Sequence, residues 1–258
     1  MKLASDGVAG GRTPAESAAA TAANALCPLP AKSGEMATVV LVRHGETTWN
    51  RDGRVQGWAP SPLTERGHAQ ARALGAHLAT TYDADRVVSS DLRRAVETTD
   101  HVRRALSLDA TFDPAWRERN FGRLQGLTDA ELFGTFPQFA LAATGYAAAL
   151  ETPEDGEALV DTRERVLGAW RELRTSLAPD ETVVVVSHGG PLYLLLGELK
   201  GLDVVSAIVD QEQGNCAVNE LRVGGDGSVT LLREDDRAHL DGVDVGDETD
   251  VDAGVTRE

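Results

Sequence analysis

Cysteine, methionine and lysine are nearly missing from this chain, and no uninterrupted apolar run reaches ten residues. Cys27 and Cys216 are the only cysteines among 258 residues, which excludes a disulfide scaffold and fits a reducing cytoplasm. A membrane-spanning helix needs about 20 apolar residues in succession, so none is expected. The chain reads as a soluble, cytoplasmic protein. Of its 25 basic residues only Lys2, Lys32 and Lys200 are lysine, against 41 acids and a net charge of −16. Nucleic acids and anionic membranes require basic faces, so neither is expected as a partner. The acid-rich, lysine-poor composition suits a protein kept soluble at high salt. A GC-rich genome favouring Ala, Asp and Arg codons accounts for it equally well.

What is present suffices for a full core: a chain of this length buries roughly 70 to 75% of its unfolded surface. Residues 1–35 are rich in Ala, Gly, Ser and Thr, contain no Ile, Phe, Tyr or Trp, and lack the apolar stretch of a secretory signal. They are expected to form a disordered leader. Met36 stands directly before the first strand-like run and is the expected start of translation. At the other end, residues 234–258 carry 10 acids and 2 bases, half of the net charge. The expected organisation is one domain over 36–239, with a cap region at about 124–161, followed by an acidic disordered tail over 240–258.

Between these ends, β-branched runs alternate with amphipathic stretches. Strands are expected at Thr38–Val42, Arg86–Ser89 and Thr182–Val186, and a closing hairpin at Cys216–Val223 and Val229–Arg233 around Gly224-Gly225-Asp226-Gly227. Helices are expected at Leu63–Thr80, from Asp91 to about Leu106, from about Glu157 to Leu177, and from Pro191 onward. Alternation of this kind reads as an α/β fold, a mostly parallel central sheet covered on both faces.

The two most apolar strands end alike. Val40-Leu41-Val42 runs into Arg43-His44-Gly45-Glu46, and Val184-Val185-Val186-Ser187 runs into His188-Gly189-Gly190. Each delivers a histidine at its carboxyl end, the edge where open parallel sheets bind ligands. A single such histidine is more often a hydrogen-bonded core residue; two in matching positions favour a site. A third strand leads into Ser90-Asp91-Leu92-Arg93-Arg94, which puts two arginines in the first turn of a helix against its dipole. An anionic ligand would relieve that conflict, while a solvated surface pair is the plain alternative and suits Arg93. Arg43, Arg94 and two imidazoles fit a phosphoryl group, whose oxygens match the guanidinium fork. Neither a glycine-rich nucleotide loop nor an H-E-x-x-H metal motif occurs, so no metal or cofactor is expected and a protein nucleophile is required.

The string Leu41 to Asn50, followed by Gln56-Gly57-Trp58, Ser61 to Thr64, Ser89 to Thr98, Glu118-Arg119-Asn120-Phe121-Gly122, Gly156-Glu157 and Ser187-His188-Gly189, resembles the histidine phosphatase superfamily, also called phosphoglycerate mutase-like. The resemblance covers about residues 37–223. It implies a three-layer α/β/α sandwich in which His44 accepts the phosphoryl group while Arg43, Arg94 and His188 hold its oxygens. Glu118 is implied as proton donor, the alternative being a surface carboxylate paired with Arg117 or Arg119. Thr47, Asn50, Gln56, Gly57 and Gly189 are implied to line the substrate pocket. Pro60 departs from the family, where aspartate is common.

Mutases and phosphatases of the superfamily share this catalytic set. From Leu124 to Asp161 there is no lysine or arginine, and a cap without cations suits poorly a mutase that must retain a bisphosphorylated acid. Phe133, Phe136, Phe139, Leu141, Tyr146 and Leu150 suit an uncharged or apolar leaving group, or simply pack the cap onto the core. The expected activity is therefore a metal-independent phosphomonoesterase acting on a small phosphorylated metabolite. The alternatives are a cofactor-dependent phosphoglycerate mutase and a catalytically silent phospholigand binder.

Overall fold

The structure, a computed structural model, describes residues 36–243. The expectations for residues 1–35 and for the chain beyond 243 lie outside the described residues. Six strands, β1 (Met36–Arg43), β2 (Arg86–Ser89), β3 (Ala110–Phe112), β4 (Thr182–Ser187), β5 (Val218–Gly224) and β6 (Val229–Asp236), form one sheet in the order β3-β2-β4-β1-β5-β6. β5 alone runs against the others, pairing antiparallel with both β1 and β6.

Nine α-helices follow one another along the described chain: α1 (Thr48–Arg51), α2 (Glu65–Thr81), α3 (Arg93–Leu106), α4 (Asp129–Thr135), α5 (Leu141–Thr144), α6 (Tyr146–Leu150), α7 (Leu159–Ser176), α8 (Gly189–Lys200) and α9 (Val204–Val209). The valine-rich strands β1 and β4 lie at the centre because their side chains are apolar on both faces. Val39, Leu41, Val183 and Val185 pack with Trp170 of α7 and Leu192, Leu195 and Leu196 of α8. Their neighbours Val40, Val42, Val184 and Val186 point the other way, onto Leu74 and Leu78 of α2 and Ala95 and Val102 of α3. The result is the expected three-layer sandwich.

Three helix starts differ from expectation, each for a local reason. Leu63 stays outside α2 because it bridges to Thr47, leaving Thr64 to cap the helix through Gly67 N at 2.9 Å. Asp91 stays outside α3 because its carboxylate takes a two-pronged bond from Arg117. Pro191 is the third residue of α8 rather than the first, and costs no helical bond there because first-turn amides have no intrahelical acceptor.

The cap holds the short helices α4, α5 and α6. Phe133, Phe136 and Phe139 pack against the buried cluster Val55, Phe121, Leu124 and Leu132. They fasten the cap onto Val55 and Phe121, while Tyr146 and Leu150 remain exposed.

The acidic tail does not begin at residue 240 as expected. Leu240 is 1% exposed and belongs to the core beneath α2, and His239 stacks on His77 with ring centroids 4.9 Å apart. Burial, and next the neighbouring His77, push the His239 pKa down from 6.5 to about 4. The unfolded chain therefore takes up this proton near pH 6.5 while the fold refuses it until about pH 4. Stability should fall with pH across that window and level off below it. Urea midpoints measured across the window should drop more steeply for wild type than for His239→Gln; identical slopes would contradict the assignment.

Candidate active site

β1 and β4 pair in register, with Arg43 opposite Ser187, so the residues that follow, His44 and His188, emerge side by side. Their ring centroids are 5.1 Å apart. β2 flanks β4 on its other edge and delivers Ser90, whose amide bonds Val186 O at 2.9 Å. Three adjacent parallel strands thus bring the site to the carboxyl edge of the sheet.

The tautomer of His44 follows from its partners. Nδ1 lies 2.7 Å from the carbonyl oxygen of Gly45, which can only accept, so Nδ1 carries the proton. Nε2 then holds a lone pair, and it receives the Nε–H of Arg94 at 3.0 Å. A nucleophilic nitrogen is therefore ready, screened by a cation suited to an incoming anion. Arg94 is 1% exposed and donates in addition to Gly57 O at 2.9 Å. Arg93, in contrast, forms an exposed pair with Glu97. The two first-turn arginines divide as the sequence suggested.

Arg43 is equally buried, with one arm donating to Gln213 O. His188 is fully buried; its Nε2 meets Ser90 Oγ at 2.8 Å, and Nδ1 has no protein partner among the described residues. Burial, then the charge of Arg94 and the neighbouring His44, hold its pKa well below the ordinary histidine value. Burial and these neighbours favour its neutral form.

Glu118 is fully buried, which removes the surface-pair alternative. Its carboxylate accepts Arg119 N at 2.8 Å and Gly190 N at 3.1 Å, while Arg117 is engaged by Asp91. A Cβ on Gly190 would fall 2.1 Å from Glu118 Oε1, so only glycine allows the carboxylate to reach the start of α8. Gly189 opens that helix and is buried beside it.

The loop after His44 is held by its own polar side chains. Thr47 caps α1 through Asn50 N at 3.0 Å, and its hydroxyl lies 2.9 Å from both Asn50 Oδ1 and Gln56 Oε1. Gln56 Nε2 is a buried donor without a partner among the described residues, suited to a substrate oxygen. Gly57, at φ +52°, is needed for the turn, since a Cβ would fall 2.4 Å from Gln125 Oε1. Its carbonyl serves Arg94.

Sequence reasoning missed several participants. Asn215 Nδ2 donates to His44 O at 3.0 Å, and Gln213 supports Arg43 from the same loop. Ser90 and Trp58 stood inside the recognised motifs with no role attached; Trp58 Nε1 donates to Glu118 O at 2.8 Å. Arg165 of α7 was given no role from the sequence. Among the described residues no group of three or more His, Cys, Asp or Glu could hold a metal ion, and no helix is long and apolar enough to cross a membrane.

Fold and site together define a phosphoryl-transfer scaffold built on paired histidines and arginines. The chain belongs to the histidine phosphatase superfamily (branch 1), which matches residues 39–236. It is 33% identical over 182 residues to a 2,3-bisphosphoglycerate-dependent phosphoglycerate mutase of Bartonella tribocorum, covering 68% of this chain and 86% of the relative. Among solved structures it is similar to Bacillus stearothermophilus YhfR, with a TM-score of 0.71, 30% identity, and coverage of 79% of this chain and 99% of that one. A mycobacterial glucosyl-3-phosphoglycerate phosphatase aligns with a TM-score of 0.66 and 30% identity, covering 78% of this chain and 100% of its own. The relatives thus include both phosphatases and mutases.

Proposed function

We propose that the protein is a phosphomonoesterase that hydrolyses a small phosphorylated metabolite through a phosphohistidine on His44. The observation that carries hydrolysis over transfer is the state of the arginines bordering the cap. Arg119 donates to the carbonyls of Glu151 and Glu157, Arg123 pairs with Glu154 and Asp155, Arg54 donates to Gly126 O, and Arg117 is held by Asp91. With no basic residue in the cap itself, a second anionic group on the substrate finds little to retain it.

In this reading, the incoming phosphoryl oxygens draw Arg94 away from His44 Nε2 and uncover the lone pair. Arg43, Arg94 and His188 surround the equatorial oxygens, and the dianion makes the imidazolium form of His188 more favourable by charge attraction. The Nε2–P bond forms as the P–O ester bond breaks, and the departing oxygen takes a proton from Glu118. Water then attacks the phosphohistidine, gives its proton to Glu118, and releases phosphate with the Nε2 lone pair restored. No metal enters these steps.

The mutase reading is favoured by the curated relatives, which carry that name at 33 to 37% identity. Incubation with 3-phosphoglycerate and a catalytic amount of 2,3-bisphosphoglycerate separates the two. Free phosphate should accumulate faster than 2-phosphoglycerate. Rapid isomerisation without phosphate release would establish the mutase instead.

A further inference from the structure

We propose that Arg165 is a positioning residue that sets where Glu118 stands. The inference rests on the reading of Glu118 as proton donor. Arg165 projects from α7, and all five of its guanidinium N–H groups have acceptors. Nε and Nη2 grip Glu157 at 2.9 and 2.7 Å, Nη1 donates to the carbonyls of Ala115 and Arg117 at 3.0 and 2.9 Å, and Nη2 also reaches Glu118 O at 3.3 Å. One side chain therefore gathers three carbonyls of the four-residue segment ending at Glu118.

The geometry gives this grip a functional consequence. Two donors that hold the Glu118 carboxylate come from different parts of the fold, Arg119 N from the residue directly after that segment and Gly190 N from α8. Their separation depends on how the 115–118 segment sits against α8, and α7 packs beside α8 in the same core cluster. Arg165 ties that segment to α7 and so fixes the register of the carboxylate against the sheet edge. Trp58 Nε1 meets the same Glu118 carbonyl from the opposite loop, so the carbonyl is held from two sides. Lysine, with three donors on a point charge, cannot reproduce a five-donor fork of this shape. Glu157 completes the device: it neutralises the guanidinium, and its backbone amide bonds Asn120 O at 2.8 Å on the far side of Glu118.

A residue that acts by placing the proton donor must affect leaving groups unequally. An alkyl phosphate needs the proton, whereas p-nitrophenyl phosphate needs it little. Arg165→Met is expected to lower kcat/KM for a simple alkyl phosphate by about 100-fold, the order of effect of a misplacement of about 1 Å, and that for p-nitrophenyl phosphate by less than about 10-fold. In a Glu118→Gln background the same substitution should add no further discrimination between the two substrates. An equal loss for both substrates, or a discrimination that persists without Glu118, overturns the proposal. If Glu118→Gln alone fails to discriminate, the proton-donor reading itself falls, an outcome distinct from failure of Arg165. Should Arg165→Met not fold, Glu157→Gln removes the charge that orients the guanidinium and is measured on the same two substrates. A larger loss on the alkyl phosphate then supports the positioning role, and equal losses overturn it.

Discussion

Glu118→Gln is expected to slow turnover of an alkyl phosphate by about 10² to 10⁴-fold, the usual contribution of a positioned general acid, and to leave p-nitrophenyl phosphate far less affected. The substitution keeps the volume of the side chain but leaves one oxygen to accept where Arg119 N and Gly190 N each met one, and glutamine cannot deliver the proton that an alkoxide needs. Two features of the site make the effect specific. Glu118 is fully buried, so water does not readily replace it as donor, and its carboxylate is anchored by two backbone amides. A phosphate dianion arriving beside it raises the cost of the charged form by like-charge repulsion, which favours the protonated acid at the moment it is needed. Single-turnover rates for the two substrates measure the split directly; equal losses would remove Glu118 from the proton-donor role.

His44→Ala is expected to abolish turnover of both substrates. Phosphate monoesters are among the most inert esters in water, with required accelerations of up to about 10²¹-fold, and a site without its nucleophile has only oxyanion stabilisation left. A loss of about 10⁵-fold or more is expected, on the scale of nucleophile deletions elsewhere. Binding of inorganic phosphate should survive, because Arg43, Arg94 and His188 remain. Residual hydrolysis within about 100-fold of wild type would mean that water attacks the ester without His44.

How much of this was legible in the amino-acid order depends on the range of the interaction that creates each feature. The valine runs of β1 and β4 declare themselves because burial on both faces leaves no polar alternation, and the histidines stand out by following them. Arg94 was readable through its conflict with the helix dipole. In contrast, the supports of the site come from far along the chain. Asn215 and Gln213 reach His44 and Arg43 across about 170 positions, and a lone amide in a loop carries no local signature. Arg165 was hidden for the same reason: its role lies in carbonyls that no pattern within α7 reveals. The burial of Leu240 was missed because a single apolar residue in an acidic stretch has no periodicity to read. The cap phenylalanines were legible as apolar but not in direction, since only the fold decides whether they face the core or the substrate.

The central claim is that a phosphoryl group passes through His44 on its way to water, and the most direct measurement is a rapid-quench single turnover with ³²P-labelled substrate. Quenching in base preserves phosphohistidine, and peptide mapping locates the label. The account predicts acid-labile label on the peptide carrying His44, rising before free phosphate and decaying at the rate phosphate appears. Label on any other residue, or complete release of phosphate with none ever attached to His44, would contradict it.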